Sequence, residues 1–93
     1  MEKDTYTLTG LENLSQKTVK AAFISDTTDI ADCLNEYKAC TSAGDNGALN
    51  IWIDDNNIYR CHALQFCVTK DKRQFTDISD VVNWADQWLA YIK

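Results

Sequence analysis

Apolar positions recur along this 93-residue chain in two rhythms, and the clearer one lies near its end. From Thr76 to Tyr91 the spacing predicts one amphipathic helix. At about 100° per residue, Ile78, Val81, Val82, Ala85, Trp88, Leu89 and Ile92 fall on a single arc of roughly 120°. Trp84 and Tyr91 widen that arc on one side to about half the circumference, where a surface helix needs an apolar stripe of about 100°. The rest of the fold, a ligand or a second chain has to cover this extra aromatic strip.

The period-2 rhythm predicts strands. Thr5 to Leu8 reads as a short first strand, and Lys17 to Ser25 as a second, with Val19, Ala21 and Phe23 on one face and Ala22 and Ile24 on the other. Gly10 to Gln16 connects them, with Leu11 and Leu14 as anchors. Asp26-Thr27-Thr28-Asp29 supplies capping side chains and acidic groups for a helix start. That helix is predicted to run to about Thr41 on a stripe of Ile30, Cys33, Leu34, Tyr37 and Cys40, and to stop at Ser42-Ala43-Gly44. Ala48 to Ile53 and Asn57 to Thr69 read as a hairpin around Asp54-Asp55-Asn56-Asn57, whose residues tolerate the positive φ of tight turns.

Pairing Ile53 with Ile58 sets the expected faces of that hairpin. Leu49, Ile51, Ile53, Ile58, His62, Leu64, Phe66 and Val68 form a core face, and Asn50, Trp52, Tyr59, Cys61, Ala63 and Cys67 the opposite one. The second set is too apolar for a plain solvent face, since Trp52 then lies across from Tyr59. The last helix starts at Thr76 or Asp77, with Phe75 packing back over its first turn. The string Asp29-Ile30-Ala31-Asp32-Cys33-Leu34-Asn35 is echoed by Asp77-Ile78-Ser79-Asp80-Val81-Val82-Asn83, which fits either a doubled ββα unit or independent use of the same helix-start chemistry. The expectation is a single α+β domain over residues 1–93, in the order β-β-α-β-β-α. Its sheet is four-stranded and mostly antiparallel, with two helices packed on one face.

A chain this short buries roughly 60–65% of its unfolded surface, so an added source of stability such as oligomerisation is a natural expectation. It has no prolines and three glycines, and nothing in it reads as a linker. The net charge of −5 argues against direct binding to nucleic-acid phosphates, which calls for clustered Lys and Arg. Only Lys70, Lys72 and Arg73 cluster, in what reads as a loop before the last helix. The polar start Met1-Glu2-Lys3-Asp4-Thr5 leads into no apolar signal region, and no stretch approaches a membrane span. A cytoplasmic protein with reduced thiols is expected.

The candidate chemistry narrows quickly. Cys33, Cys40, Cys61, His62 and Cys67 are soft ligands, but they include no Cys-x-x-Cys pair. Cys33 and Cys40 lie about 10 Å apart along a helix, and Cys61 and His62 point to opposite strand faces. No metal site and no cofactor are expected, and the cysteines read as small buried hydrophobes. The same parity separates His62 from both Cys61 and Cys67, which removes a Cys–His nucleophile. The acids sit mainly at helix starts and turns, where capping and solubility account for them. Gly44-Asp45-Asn46-Gly47 is a turn, not a phosphate cradle. No catalytic residues emerge.

Surface aromaticity remains: Trp52 and Tyr59 with Cys61 on one sheet face, and Trp84 and Tyr91 on the flank of the last helix. These five residues are the expected binding positions. The reading they support is a small non-enzymatic interaction protein, self-associating as a homodimer or binding another protein through an aromatic patch. One alternative is an acidic inhibitor that offers carboxylates where a nucleic acid would lie. In size and acidity alone, with no shared motif, the chain is similar to the small proteins carried by phages, plasmids and integron cassettes. Another alternative is a small-ligand binder or minor enzyme using the Trp52/Tyr59/Cys61 face.

Overall fold

The computed structural model of the chain describes residues 4–92, in the order β-β-α-β-β-β-β-α. The strands are β1 (Thr5–Thr9), β2 (Thr18–Phe23), β3 (Ala39–Gly44), β4 (Gly47–Ile53), β5 (Tyr59–Gln65) and β6 (Val68–Phe75). The helices are α1 (Ile30–Tyr37) and α2 (Ile78–Ile92), and a short 3-10 turn at Thr27–Asp29 leads into α1. All six strands form one sheet in sequence order, β1 through β6. Every neighbouring pair is antiparallel except β2 and β3, which α1 joins in parallel. The α+β class and the two helices match the sequence expectation. The sheet, however, has six strands instead of four and is mixed.

Both extra strands come from turns with unfavourable residues. The first helix does not continue to Thr41. Asp26 caps the 3-10 turn by accepting from the Thr28 backbone N–H at 2.8 Å, and the helix stops after Tyr37. There Lys38 adopts a left-handed conformation (φ 67°) and donates its N–H to the Leu34 carbonyl. Glycine or asparagine usually takes this position. Ala39-Cys40-Thr41 then extends as β3 at the centre of the sheet. Asp26 caps the 3-10 turn ahead of α1 and Asp77 opens α2, so the two similar strings begin at different distances from these aspartates.

The β4–β5 register is one residue away from the expected one. Ile53 pairs with Tyr59, not Ile58, so Ile51 faces Cys61 and Leu49 faces Ala63. Because side chains alternate, that single slip moves every β5 residue to the other face. Cys61 and Ala63 lie under the helices with Ala22, Cys40, Leu49 and Ile51, packed against Ile30 and Leu34 of α1 and Val81, Ala85 and Ile92 of α2. Arg60 and His62 take the opposite face.

The buried carboxylate of Asp54 accounts for the slip. It accepts from the backbone N–H groups of Asn56 (2.8 Å) and Ile58 (3.0 Å) and from Arg60 Nε (2.8 Å). The Asp54 backbone N–H also donates to the Ile58 carbonyl, and Asn57 N–H to the Asp54 carbonyl, so the loop closes on itself ahead of Tyr59. Burial pushes the Asp54 carboxyl up. The Arg60 guanidinium, the Ile58 and Asn56 N–H groups and Asn13 outweigh it and hold the group below its ordinary value.

The face away from the helices has its own small core. Trp52 is fully buried over Ala21 and Ala39, whose short side chains leave room for the indole, and Leu8, Leu11, Leu14 and Val19 close around it. Its Nε1 donates to the Glu12 carbonyl at 3.0 Å, and its ring meets His62 edge-on at 4.8 Å. The segment between β1 and β2 thus covers this side. It is tied to the β4–β5 loop by Ser15 N–H on Asp55 Oδ2 and Asp55 N–H on the Asn13 carbonyl.

Gly47, at the start of β4, is required by close approach. Its φ is +153°, and an added Cβ would lie 2.4 Å from the Leu64 carbonyl oxygen and 3.1 Å from Ile92. Gly47→Ala is expected to destabilise the fold by about 2–3 kcal/mol, the order of a strained backbone position. Gly10→Ala, where φ is +67° in open space, is expected to cost about 1 kcal/mol. Denaturant unfolding of the two variants checks the difference, and equal losses would show that the Leu64 contact relaxes freely.

Asp54→Ala is expected to cost about 3 kcal/mol, since two backbone donors and Arg60 lose their acceptor. The folded Asp54 carboxyl titrates below its unfolded value of about 4, so its contribution is complete above that pH and lost as pH falls through the folded value. Denaturation midpoints from pH 6 to pH 2 are expected to fall more steeply for the wild type than for Asp54→Asn.

Candidate functional site

The site grows out of two neighbours, α2 and β6. Asp77 opens α2 by accepting from Ser79 N–H and Ser79 Oγ, both at 2.9 Å. The fifteen-residue helix buries Val81, Trp84, Ala85, Leu89 and Ile92 against the sheet. Its last carbonyl, that of Ile92, accepts from Asn46 N–H in the β3–β4 turn. Spacings of four and three residues bring Trp84, Trp88 and Tyr91 into one file along the flank facing β6.

β6 meets that file with Asp71. Pairing of Ala63 with Asp71 and of Cys61 with Arg73 places both charged residues on the helix-covered face. Asp71 Oδ2 accepts from Trp84 Nε1 at 2.9 Å and from Trp88 Nε1 at 3.1 Å, and Oδ1 accepts from Arg73 Nε at 3.0 Å. Burial raises this carboxyl, but the two indole N–H groups and Arg73 outweigh that and hold it below its ordinary value. Asp71 is therefore an anion at neutral pH, and it fixes the orientation of both indoles.

The three rings run from core to surface. Trp84 is 7% exposed, Trp88 is half-buried and Tyr91 is 60% exposed. Trp84 and Trp88 are tilted by 49° at 6.5 Å between centroids, and Trp88 and Tyr91 meet edge-on, 84° apart at 5.7 Å. A depression of about 340 Å³ opens beside them, lined by Gln65, Asp71, Gln87, Trp88 and Tyr91.

The β5–β6 turn borders it. Gln65 pairs with Val68, and the two residues between them, Phe66 (φ 53°) and Cys67 (φ 64°), both have positive φ. That is the mark of the mirror-image hairpin turn, which normally uses Asn-Gly. Phe66 is 88% exposed and Val68 54% exposed. Gln65, at the start of this turn, lines the depression together with Trp88 and Tyr91.

The five residues expected from the sequence do not share a surface. Trp84 and Tyr91 do lie on one flank of α2, but β6 covers Trp84. Trp52 and Cys61 are both fully buried and on opposite faces of the sheet, and Tyr59 is half-buried on the helix side. The expected Trp52/Tyr59/Cys61 patch is thus corrected by the one-residue register shift, and the small-ligand reading loses the face it depended on. Burial, with the Asp71 charge adding to it, pushes the Cys61 thiol up to about 12, and burial raises Cys40 further still. Neither thiol is a thiolate nucleophile at neutral pH. The sequence does not signal Asp71, Gln65 and Gln87, and Phe66 and Val68, expected on the core face, are instead exposed. Asp71 is hidden in Lys70-Asp71-Lys72-Arg73, which reads as a solvated loop until β6 is recognised.

A second cluster lies on the opposite face. Glu12 bridges Lys72 Nζ (2.7 Å), Arg60 (3.6 Å) and His62 Nε2 (3.8 Å) around a cavity of about 260 Å³ that Arg73 and Gln74 also line. Burial lowers the His62 pKa, against the pull of Glu12 and with the help of Lys72 and Arg60. His62 is therefore largely neutral at pH 7, and its contact with Glu12 is not an ion pair there. Each cation already has a carboxylate: Arg60 has Asp54, Lys72 has Glu12, and Arg73 has Asp71. The cluster fastens the β1–β2 segment over Trp52. Among the described residues no three His, Cys, Asp or Glu side chains are grouped to hold a metal ion, and no helix is long and apolar enough to cross a membrane. Comparison with protein-family models, curated proteins and solved structures finds no match to this chain.

Replacing Phe66-Cys67 by Asn-Gly removes two left-handed residues with side chains from the turn. It is expected to stabilise the fold by about 1–3 kcal/mol, read as a higher denaturant midpoint.

Proposed function

We propose that this protein is a non-enzymatic interaction module that associates with a second copy of itself through the apolar end formed by Trp88, Tyr91, Phe66 and Val68. One observation carries the reading. A phenylalanine stands 88% exposed at the tip of a hairpin turn whose backbone it strains, two residues before a valine that is 54% exposed, and Tyr91 is 60% exposed. Contiguous apolar surface on a small chain marks a contact surface. Self-association also supplies what so small a core lacks, and a twofold pair would bury the same patch on both copies. A cytoplasmic setting goes with this reading, because the exposed Cys67 thiol stays reduced there.

A second reading draws on the charge pattern. α1 carries Asp32 and Glu36, α2 carries Asp80 and Asp86, and neither helix holds a lysine or arginine. The outer helix layer suits an inhibitor that meets a basic, nucleic-acid-binding surface, of the kind mobile elements carry. Such binding weakens steeply with added salt, whereas association through the apolar end changes little.

Sedimentation velocity tests the preferred reading. At about 100 μM, a concentration at which micromolar association is nearly complete, the wild type is expected to run as a dimer and the Phe66→Ala/Tyr91→Ala double variant as a folded monomer. A monomeric wild type would end the homodimer proposal. Trp84→Ala is expected to act differently, lowering stability by about 3–5 kcal/mol because the indole is core.

A further inference from the structure

We infer that β1 pairs with β1 of a second copy of this chain, antiparallel and centred on Thr7, so that two six-stranded sheets join edge to edge. This contact is separate from the one proposed at Trp88 and Tyr91. Those residues lie beside β6, and β1 and β6 are opposite edges of the sheet.

The pairing follows from the groups that β1 leaves open. Phe23 N–H donates to the Asp4 carbonyl at 2.9 Å, and the same register continues through Tyr6 with Ala21 and Leu8 with Val19. Bonded pairs alternate with unbonded ones in an antiparallel ladder. Thr5, Thr7 and Thr9 therefore turn their N–H and C=O groups away from β2. β1 ends the sheet, and among the described residues no strand lies beyond it. The segment Thr-Tyr-Thr-Leu-Thr keeps its threonine spacing when read from either end. Turned over on a twofold axis through Thr7, it sets Thr5 against Thr9, Thr7 against Thr7 and Tyr6 against Leu8. Every outward donor then meets an outward acceptor. Threonine pairs are favourable cross-strand neighbours. On the other face Tyr6, 57% exposed and leaning on Phe23 at 5.7 Å, gains cover from Leu8 of the second copy.

Charge selects both the edge and the occupant. β1 holds no charged residue, so two copies of a chain carrying −5 can meet along it without setting like charges face to face. The other edge, β6, carries Lys70, Asp71, Lys72 and Arg73 and is interrupted by a register shift at Ala63/Leu64. Charges, prolines and bulges are the usual guards of an open edge. β1 has none of them: its register with β2 is unbroken and the chain has no proline. Thr5, Thr7 and Thr9 are exposed, so the approach is clear. Main-chain hydrogen bonds open to water contribute little net, and lost rigid-body freedom opposes them. The expected affinity is therefore millimolar, weaker than that of the apolar contact.

The test uses the full chain carrying Phe66→Ala/Tyr91→Ala, which isolates this edge from the other contact. Its amide resonances are followed by NMR from about 0.1 mM to about 2 mM. The Thr5, Thr7 and Thr9 amides are expected to shift with concentration and to exchange hydrogen about twofold more slowly at the upper end. Exchange at Tyr6 and Leu8, whose N–H groups already face β2, should not slow. Thr7→Lys and Thr7→Glu are each expected to weaken the association by about fivefold or more, because each sets like charges directly opposite one another. The two variants change the net charge in opposite senses, so a general charge effect does not produce both losses. Thr5→Lys/Thr9→Glu, which pairs opposite charges in this register, is expected to tighten the association by about threefold. Threonine amides that ignore concentration, shifts centred on Lys70 and Lys72 instead, or a Thr7→Lys variant that associates as well as its parent would overturn the inference. Sedimentation of the wild type keeps the two contacts apart. A wild type that is monomeric at about 100 μM, with the β1 shifts present at millimolar concentration, would end the apolar contact and leave the edge pairing standing. A dimer at about 100 μM with β1 unmoved at every concentration would do the reverse.

Discussion

A single buried carboxylate fixes which way half of this sheet faces. Asp54 gathers Asn56, Ile58 and Arg60 around itself, and in doing so it spends five residues between β4 and β5. Closing the loop one residue earlier would turn Cys61 and Ala63 toward solvent and bring Arg60 and His62 under the helices. The cost of burying Arg60 and His62 in an apolar layer keeps the longer loop in place. β6 inherits its register from β5, so the position of Asp71 beneath α2 depends on a turn at the far end of β5.

Asp71 in turn converts a helix–sheet contact into a shaped surface. Hydrophobic packing alone would let two neighbouring indoles choose among several rotamers. A shared carboxylate oxygen, 2.9 and 3.1 Å from the two nitrogens, removes that freedom. The strip of aromatic area beyond the normal width of a helix stripe is thus divided. Trp84 closes the core, Trp88 stands at the boundary and Tyr91 reaches solvent. The fold covers only part of the excess apolar area that marks α2 in the sequence, and the uncovered remainder adjoins the strained Phe66-Cys67 turn.

What can be read from the sequence follows from where the signal is local. The 3.6-residue rhythm of α2 and the alternation in β1, β2 and β4 are local, and those elements are legible to within a residue or two. β3 is not, because Ala39-Cys40-Thr41-Ser42-Ala43 extends the apolar spacing of α1, and the residue that ends the helix is a lysine in a left-handed conformation. β6 is hidden because its outward residues are Lys70, Lys72 and Gln74, and its turn lacks the usual Asn-Gly. The candidate surface is half legible for the same reason. Tyr91 and the helix flank follow from periodicity. The burial of Trp84 and Trp52 and the role of Asp71 depend on pairing between strands, which no local pattern encodes.

The order of the strands has a consequence for how the chain reaches this state. Each strand lies beside its neighbours in sequence, so four of the five pairings close through hairpins or a short connection, and only β2 and β3 need an intervening helix. Loops of that length cost little entropy to close, and structures dominated by near-neighbour contacts cross their folding barrier quickly. The sheet can grow by zippering outward from β3–β4–β5, with α2 docking once β6 has delivered Asp71. The aromatic end is built on α2, whose Val81, Trp84, Ala85, Leu89 and Ile92 belong to the main core, so the surface proposed for recognition cannot open without exposing that core.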